Sequence, residues 1–285
     1  MTPKGKLIAI GGNEDKGFGT TESYALDFVE DGILSHVVAL GGGPESNIEI
    51  IPTASSIPKE VGQNYIRAFA KLGCESVRVL NIRSKKKADH NDYLDRIKNA
   101  DIVMFSGGDQ RRLSKVFGGT KFLSILHERY MNEPIVIAGT SAGAVGMSET
   151  MVYGGSAAYA MLKGAVKLMT GMAFVNQVIF DSHFIVRGRF GRLAEAVALH
   201  PDKLGVGLGE DTGVIISEGN KFQVIGSGMV IVFDPSHMTH NTVNILEKGT
   251  PISIGNLTVH ILANGDEFLI DEKNPVMLAI DKPFI

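Results

Sequence analysis

The strongest constraint on the fold is an apolar stretch, Pro134-Ile-Val-Ile-Ala138, that runs directly into Gly139-Thr-Ser-Ala-Gly143. A buried strand that ends in Gly-x-Ser-x-Gly before small, helix-compatible residues is typical of a nucleophile elbow, a sharp strand-to-helix turn that exposes one side chain. The glycines suit this turn because a larger side chain would clash there. Ser141 is therefore either a nucleophile or the cap of a tightly packed helix, and the flanking strand and helix patterns favour the nucleophile.

The first two-thirds of the chain alternate short apolar runs with amphipathic segments. The apolar runs predict strands at residues 7–10, 48–52, 77–80, 101–105 and 135–138. The amphipathic segments predict helices at residues 59–72, 91–99, 110–117 and 122–130. This alternation is typical of an α/β fold with a mostly parallel sheet flanked by helices, in which ligands bind at the carboxyl ends of the strands.

The last third of the chain has a different pattern, of short apolar runs separated by Gly, Asn and Asp turns. It predicts strands at residues 214–217, 222–225, 229–233, 242–245, 257–262 and 268–270, and no strong helix. We interpret residues 214–285 as a β-rich C-terminal extension that extends or closes the sheet with antiparallel strands. The sequence therefore predicts a single α/β domain over residues 1–285.

Composition narrows the classes of function. The formal net charge of -3 argues against a nucleic-acid partner. No run approaches the roughly 20 apolar residues that span a membrane. One cysteine excludes an internal disulfide, and the pattern of a signal peptide is lacking, so a cytoplasmic location is expected. His237 and His240 form only a pair, so neither a metal nor a cofactor is predicted.

A serine nucleophile needs a base to accept its proton and an acidic group to orient that base. The candidate base is His183, which follows another apolar strand and precedes a polar loop. The alternative role for His183 is that of a buried core histidine whose hydrogen bonds are satisfied within the protein. The candidate acid is Glu210 or Asp211, adjacent carboxylates in a glycine-rich segment. The alternative is that such a residue only forms a turn, and this applies especially to Asp211 because aspartate is common in turns.

A second glycine-rich turn, Ser106-Gly-Gly-Asp-Gln110, ends a strand and precedes a helix. Backbone N–H groups in such a turn, with Gly108 as the candidate, would form an oxyanion hole together with the N–H of Ala142. The alternative is a plain glycine turn with an aspartate cap.

An arginine cluster, Arg187-Gly-Arg-Phe-Gly-Arg192, follows the candidate base. Guanidinium forks suit bidentate binding of carboxylates. A solvated helix start and a nucleic-acid patch are the alternatives, and the acidic net charge speaks against the second.

Six segments together resemble those of cyanophycinases, members of a serine peptidase family that also contains α-aspartyl dipeptidase. The segments are Gly11-Gly-Asn-Glu-Asp-Lys16, Ser106-Gly-Gly-Asp-Gln110, Gly139-Thr-Ser-Ala-Gly-Ala144, Asp181-Ser-His-Phe184, Arg187-Gly-Arg-Phe-Gly-Arg-Leu193 and Gly209-Glu-Asp-Thr212. They occur in family order and span most of the chain. The resemblance implies a fold like that of class I glutamine amidotransferase domains, with serine in place of cysteine at the elbow.

The resemblance also implies roles for individual residues. It implies a catalytic triad of Ser141, His183 and Glu210. The implied substrate contacts are Gln110, Asp181, Arg187, Arg189 and Arg192. Ser182 stands where members that degrade cyanophycin often carry Gln, so the substrate pocket is expected to be roomier at that point.

The implied substrate is cyanophycin, a poly-aspartate backbone with arginine joined to each β-carboxyl group, which would be hydrolysed to β-Asp-Arg dipeptides. A serine dipeptidase for other aspartyl or isoaspartyl peptides is the alternative. A non-catalytic sensor or binding domain is a third hypothesis, and the presence of serine, histidine and an acidic group together speaks against it. The family suggests a homodimer, with no nucleic-acid or membrane partner.

Overall fold

The computed structural model describes residues 2–18, 26–155 and 159–277. Its strands are β1 (Lys6–Ile10), β2 (Ile48–Ile51), β3 (Val77–Val79), β4 (Ile102–Phe105), β5 (Val136–Thr140), β6 (Thr150–Gly154), β7 (Lys167–Thr170), β8 (Val178–Asp181), β9 (Leu204–Leu208), β10 (Thr212–Ser217), β11 (Lys221–Gly226), β12 (Val230–Asp234), β13 (His240–Asn241), β14 (Ile254–Gly255), β15 (Thr258–Leu262), β16 (Glu267–Leu269) and β17 (Asn274–Val276). Its helices are α1 (Ile33–Leu40), α2 (Pro58–Lys71), α3 (Lys85–Ala88), α4 (Asn91–Lys98), α5 (Gln110–Phe117), α6 (Lys121–Asn132), α7 (Ala142–Val145) and α8 (Phe190–Leu199).

A large central sheet organises the molecule, which confirms the predicted mixed α/β class. Within the described residues this sheet has nine strands in the order β17-β16-β11-β10-β1-β5-β4-β2-β3. The half from β1 to β3 is parallel throughout. The half from β10 to β17 is antiparallel. The predicted mostly parallel sheet therefore corresponds only to strands β1 to β5, which come from the first two-thirds of the chain.

The C-terminal strands divide between two sheets. Strands β10, β11 and β16 extend the central sheet, as predicted, and β17, which was not predicted, pairs with β16 at its edge. Strands β12 and β15 instead join β8 and β9 in a separate sheet, of four strands among the described residues, in the order β15-β12-β9-β8. The expectation that the whole segment extends one sheet is therefore wrong, and the single-domain assignment stays a prediction.

The strand predicted at residues 242–245 is wrong, because these residues form a turn. The Asn241 side chain accepts a hydrogen bond from the Val243 N–H at 3.0 Å, and the Ile245 N–H bonds to the Thr242 carbonyl. An asparagine that bonds the backbone two residues onward initiates a turn, and this local bond overrides the apolar pattern.

Alternating residues of β1 separate the two layers of core that cover the central sheet. Leu7 and Ala9 belong to one cluster of buried side chains, and Ile8 and Ile10 belong to the other. Successive strand residues point to opposite faces, so both faces of β1 are covered. Helices α1 and α2 cover the second face, whereas α5 and α6 cover the first. Helix α1 was not predicted because its run Ile-Leu-Ser-His-Val-Val-Ala-Leu is apolar nearly all round.

Candidate active site

The elbow has the strand–turn–helix form that the sequence predicts. Strand β5 ends at Thr140, helix α7 begins at Ala142, and Ser141 between them has φ 51° and ψ -108°. A Cβ on Gly139 would lie 2.6 Å from the Gly143 carbonyl carbon, so this crossing admits no side chain. The left-handed backbone of Ser141 is a strained conformation of the kind that clusters at functional sites.

The structure brings together the three side chains that were named as a triad. His183 Nε2 lies 3.0 Å from Ser141 Oγ, and His183 Nδ1 lies 2.8 Å from Glu210 Oε1. His183 follows β8 and Glu210 follows β9, two neighbouring parallel strands whose carboxyl ends lie together. A Cβ on Gly12 would lie 2.3 Å from His183 Cε1, so glycine at that position makes room for the imidazole ring.

The geometry distinguishes between the two adjacent carboxylates that the sequence left open. Glu210 faces His183, and its second oxygen accepts a hydrogen bond from Asn13 Nδ2 at 2.7 Å. Asp211 points elsewhere, accepting the Asp15 N–H at 2.9 Å and the Ser227 hydroxyl at 2.7 Å. Only Glu210 is thus placed to orient the imidazole, while Asp211 holds the loop after β1.

Electrostatics keep the imidazole neutral and the carboxylate ionised near neutral pH. Burial lowers the pKa of His183, the hydrogen bond that its ring donates to Glu210 opposes that effect, and the nearby positive charge of Arg187 adds to the lowering. Burial on its own would raise the pKa of Glu210, but its bonds to His183 and Asn13 lower that pKa overall. A neutral imidazole bonded to a serine hydroxyl is the state that a general base requires.

The second glycine turn lies directly beside the elbow. A Cβ on Gly107 would lie 3.3 Å from the Ser141 Cβ, and Gly108 has φ 141°. Among the described residues, the Gly108 N–H donates no hydrogen bond, which leaves it open to an incoming oxygen. Asp109 caps α5 through the Arg111 N–H, so the turn also has the capping function weighed from the sequence. The oxyanion role of Gly108 and Ala142 stays a prediction.

The two ends of the arginine cluster lie in different environments, one at the cleft and the other in the buried interior. The exposed Arg187 lines the cleft beside Ser141 and His183. Arg192 is instead buried and binds Asp181 in a bidentate ion pair, with its Nε at 2.5 Å from Oδ2.

The Asp181 carboxylate is fully buried and also accepts hydrogen bonds from the Ser182 N–H and from Arg189 Nη1. Both Asp181 oxygens are therefore engaged within the chain, and the contact of Asp181 and Arg192 with substrate stays a prediction. They anchor the segment that carries His183.

Three other predicted substrate contacts lie away from the cleft surface. Gln110 Nε2 donates to the Val152 carbonyl at 2.7 Å. Ser182 is 3% exposed, and Arg189 Nη1 bonds its carbonyl oxygen. None of Gln110, Ser182 and Arg189 belongs to the described lining of the cleft, so their contact with substrate stays a prediction.

The cleft over the elbow has a volume of about 530 Å³. Its polar lining includes a buried carboxylate that the sequence analysis did not single out. Glu14 accepts hydrogen bonds from Thr140 Oγ1 at 2.5 Å, from Lys16 Nζ at 2.8 Å and from the Tyr65 hydroxyl. The mixed charges of residues 11–16 were a signal for Glu14 and Lys16, whereas nothing local marked Tyr65, which reaches the site from α2.

The chain is similar to known peptidases in sequence and in fold. Residues 23–225 match the model of peptidase family S51. The chain belongs to peptidase family S51. The cyanophycinase of Trichormus variabilis is 36% identical over 265 residues, covering 93% of this chain and 85% of that protein. The cyanophycinase of Geminocystis herdmanii is 31% identical and covers 93% of each chain. The crystal structure of a peptidase from an acI-B1 actinobacterium shares the fold of this S51 chain, with a TM-score of 0.66 at 19% identity over 94% of this chain and 98% of that one.

Among residues 2–18, 26–155 and 159–277, no group of three or more His, Cys, Asp or Glu side chains is arranged to hold a metal ion. Over the same described residues, no helix has both the length and the apolar character of a membrane span.

Substitutions at the two ends of the arginine cluster in this S51 chain should change the free energy of unfolding by very different amounts. Arg192→Met should lower the free energy of unfolding by about 3–5 kcal/mol, because it leaves the Asp181 carboxylate buried without its main partner. Arg187→Met is the matched control and should change that free energy by less than about 0.5 kcal/mol, because Arg187 is exposed. Chemical denaturation of both variants measures the difference, and equal stabilities would contradict the structural role of the Asp181–Arg192 pair.

Proposed function

We propose that this S51 peptidase is a serine exopeptidase that hydrolyses cyanophycin and releases β-Asp-Arg dipeptides. The observation that carries the proposal is the continuous hydrogen-bonded chain from Ser141 Oγ through His183 to Glu210. The relatives named cyanophycinase, which this chain matches over most of its length, support the choice of substrate.

The proposed mechanism follows from the hydrogen bonds. His183 Nε2 accepts the Ser141 proton as Oγ attacks the scissile carbonyl carbon, and Glu210 stabilises the imidazolium that forms. The N–H groups of Gly108 and Ala142 stabilise the resulting oxyanion. The imidazolium then gives its proton to the leaving amine, and an acyl-enzyme ester on Ser141 remains. Water, deprotonated by the same imidazole, hydrolyses that ester and restores the serine.

Charge complementarity supports a substrate that carries carboxylates. The exposed Arg187 and the ammonium group of Lys16 both line the cleft over the elbow. Each cyanophycin unit carries the free carboxylate of its arginine, and a guanidinium fork suits such a group. The carboxylate of Glu14 is already engaged by Lys16, Thr140 and Tyr65, so its role is to fix Lys16 rather than to bind the substrate's guanidinium group.

The proposal is tested by incubating the purified protein with insoluble cyanophycin and identifying the soluble products by mass spectrometry. β-Asp-Arg should accumulate with the wild type and be absent with Ser141→Ala. Turnover of small aspartyl dipeptides without any cleavage of cyanophycin would favour the serine dipeptidase instead. One observation favours that second candidate: Ser182 replaces the glutamine that is common in cyanophycin-degrading members.

The pH profile should report the state of His183. Only the neutral imidazole accepts the serine proton, and the pKa of His183 is lowered from 6.5, chiefly by burial. The acid limb of kcat/KM should therefore lie below pH 6.5. It should move upward in Arg187→Gln, because this change removes a positive charge that lowers the pKa. It should move downward in Glu210→Gln, because this change removes the partner that raises the pKa. If the acid limb moved in the same direction in both variants, the assignment of this limb to His183 would be wrong.

We further propose a class I glutamine amidotransferase-like fold, a homodimeric assembly and a cytoplasmic location for this chain. An elbow at the end of a central parallel strand supports the first, the family resemblance supports the second, and a single cysteine is compatible with the third. Light scattering of the purified protein and fractionation of expressing cells test the last two.

A further inference from the structure

A second cleft, of about 570 Å³, lies between the loop after β2, residues 83–85 and helix α5, and has no assigned role. We call it the basic cleft, because four positive side chains line it: Arg83, Lys85, Arg112 and Lys115. No acidic residue belongs to its lining, and among the described residues none of the four forms an ion pair. Four unneutralised charges around one concavity repel each other, so the cleft favours an anionic ligand.

The two arginines of the basic cleft are held in place by the loop after β2. Arg83 Nη1 donates to the carbonyls of Thr53 at 3.0 Å and Ser55 at 2.9 Å, and Arg112 Nη1 donates to the carbonyl of Ala54 at 3.1 Å. Within the described part of the chain, the Nε and Nη2 atoms of both arginines donate no hydrogen bond. Each guanidinium group is thus fixed on one side and open on the other, which reduces the entropy lost on binding a carboxylate.

The same loop connects the basic cleft to the catalytic machinery. The Ala54 carbonyl, which holds Arg112, also accepts the Asp109 N–H, and a Cβ on Gly108 would lie 2.1 Å from its oxygen. On its other side, the Gly107–Gly108 turn packs against Ser141. One turn of backbone therefore separates the basic cleft from the nucleophile.

We propose that the basic cleft is a subsite that binds the carboxylates of polymer units beyond those at the scissile bond. This inference rests on the proposed function, since it needs a substrate with a carboxylate on every unit. An extended poly-aspartate backbone advances about 3.5 Å per residue, and in this proposal units beyond the cleaved one pass the Gly107–Gly108 turn and reach the basic cleft. The flexible arginine side chain of each unit lets its carboxylate bind while its guanidinium group stays in solvent.

The test compares long soluble cyanophycin fragments with the two-unit oligomer (β-Asp-Arg)₂, which is too short to fill both clefts. Arg83→Gln should raise KM for the long fragments about tenfold, the effect of one charge-assisted contact, and leave KM for the two-unit oligomer unchanged. The double variant Lys85→Gln/Lys115→Gln should act in the same direction. Lys86→Gln/Lys121→Gln is the matched control, because these lysines are exposed nearby but do not line the cleft.

Each outcome decides the inference. Equal KM changes for long and short substrates, or none for either, would overturn it even though the wild type degrades cyanophycin. If the wild type cleaves neither substrate, it is the proposed function that fails. Inorganic phosphate at constant ionic strength should compete with the long fragments only. An effect of phosphate on the two-unit oligomer that Arg83→Gln abolishes would make the basic cleft an effector site for small anions, which also overturns the subsite.

Discussion

Ser141→Ala is expected to reduce kcat on the order of 10⁶-fold, the loss typical of removing the nucleophile from a Ser–His–acid triad. In the proposed mechanism, the Ser141 hydroxyl oxygen, which lies 3.0 Å from His183 Nε2, is the atom that forms the acyl-enzyme. Single-turnover assays on cyanophycin measure the effect. A serine-directed probe should label the wild type at Ser141 and leave the variant unlabelled.

The backbone at Ser141 gives this prediction an independent control. Because φ is 51°, Ser141→Gly should relieve strain and raise the free energy of unfolding by about 1 kcal/mol, whereas Ser141→Ala should leave it nearly unchanged. Both variants should be inactive. Loss of activity together with loss of stability in both would show that the elbow had merely unfolded, and wild-type turnover by Ser141→Ala would rule out the mechanism.

Glu210→Gln should lower kcat by about 10⁴-fold, because an amide in place of the carboxylate stabilises the wrong imidazole tautomer and cannot balance the imidazolium charge. KM should change little, since Glu210 faces His183 rather than the substrate. Steady-state kinetics on soluble cyanophycin fragments separate the two parameters.

Asp211→Asn is the matched control for Glu210→Gln. Asparagine tolerates the left-handed backbone of this position, where φ is 45°, and keeps an oxygen that can accept the Asp15 N–H. We therefore expect Asp211→Asn to have a kcat within about tenfold of the wild type, because Asp211 can affect catalysis only through the position of the loop after β1. A larger loss in Asp211→Asn than in Glu210→Gln would transfer the orienting role to Asp211.

The sequence predicted the parts of the site that are local. The elbow is readable because a strand, a tight turn and a helix each leave their own signature within ten residues, and the structure has that form at Ser141. The choice between Glu210 and Asp211 was not readable from the residues alone. Two adjacent carboxylates have the same chemistry, and only the backbone at Asp211 and its bond to Ser227 turn one of them away from His183.

Long-range pairing is the part of the fold that the sequence pattern did not predict. The arginine cluster after His183 predicted contacts with substrate carboxylates. Arg192 does bind a carboxylate, but this carboxylate belongs to Asp181 of the same chain. Likewise, the apolar alternation of β12 and β15 predicted strands correctly but could not say that β9, rather than β11, is the neighbour of β12. Strand pattern fixes which face is buried, whereas the partner depends on the packing of the whole molecule.

The carboxylate of Glu14 has a consequence for protein engineering. It is bonded to Thr140, which directly precedes Ser141, to Tyr65 in α2 and to Lys16 in the loop after β1. Grafting the Gly-x-Ser-x-Gly pentapeptide onto another α/β scaffold would leave out these distant partners, and a buried charge stripped of its donors costs several kcal/mol. The smallest transferable version of this elbow is therefore a set of three segments, drawn from the loop after β1, from α2 and from the end of β5.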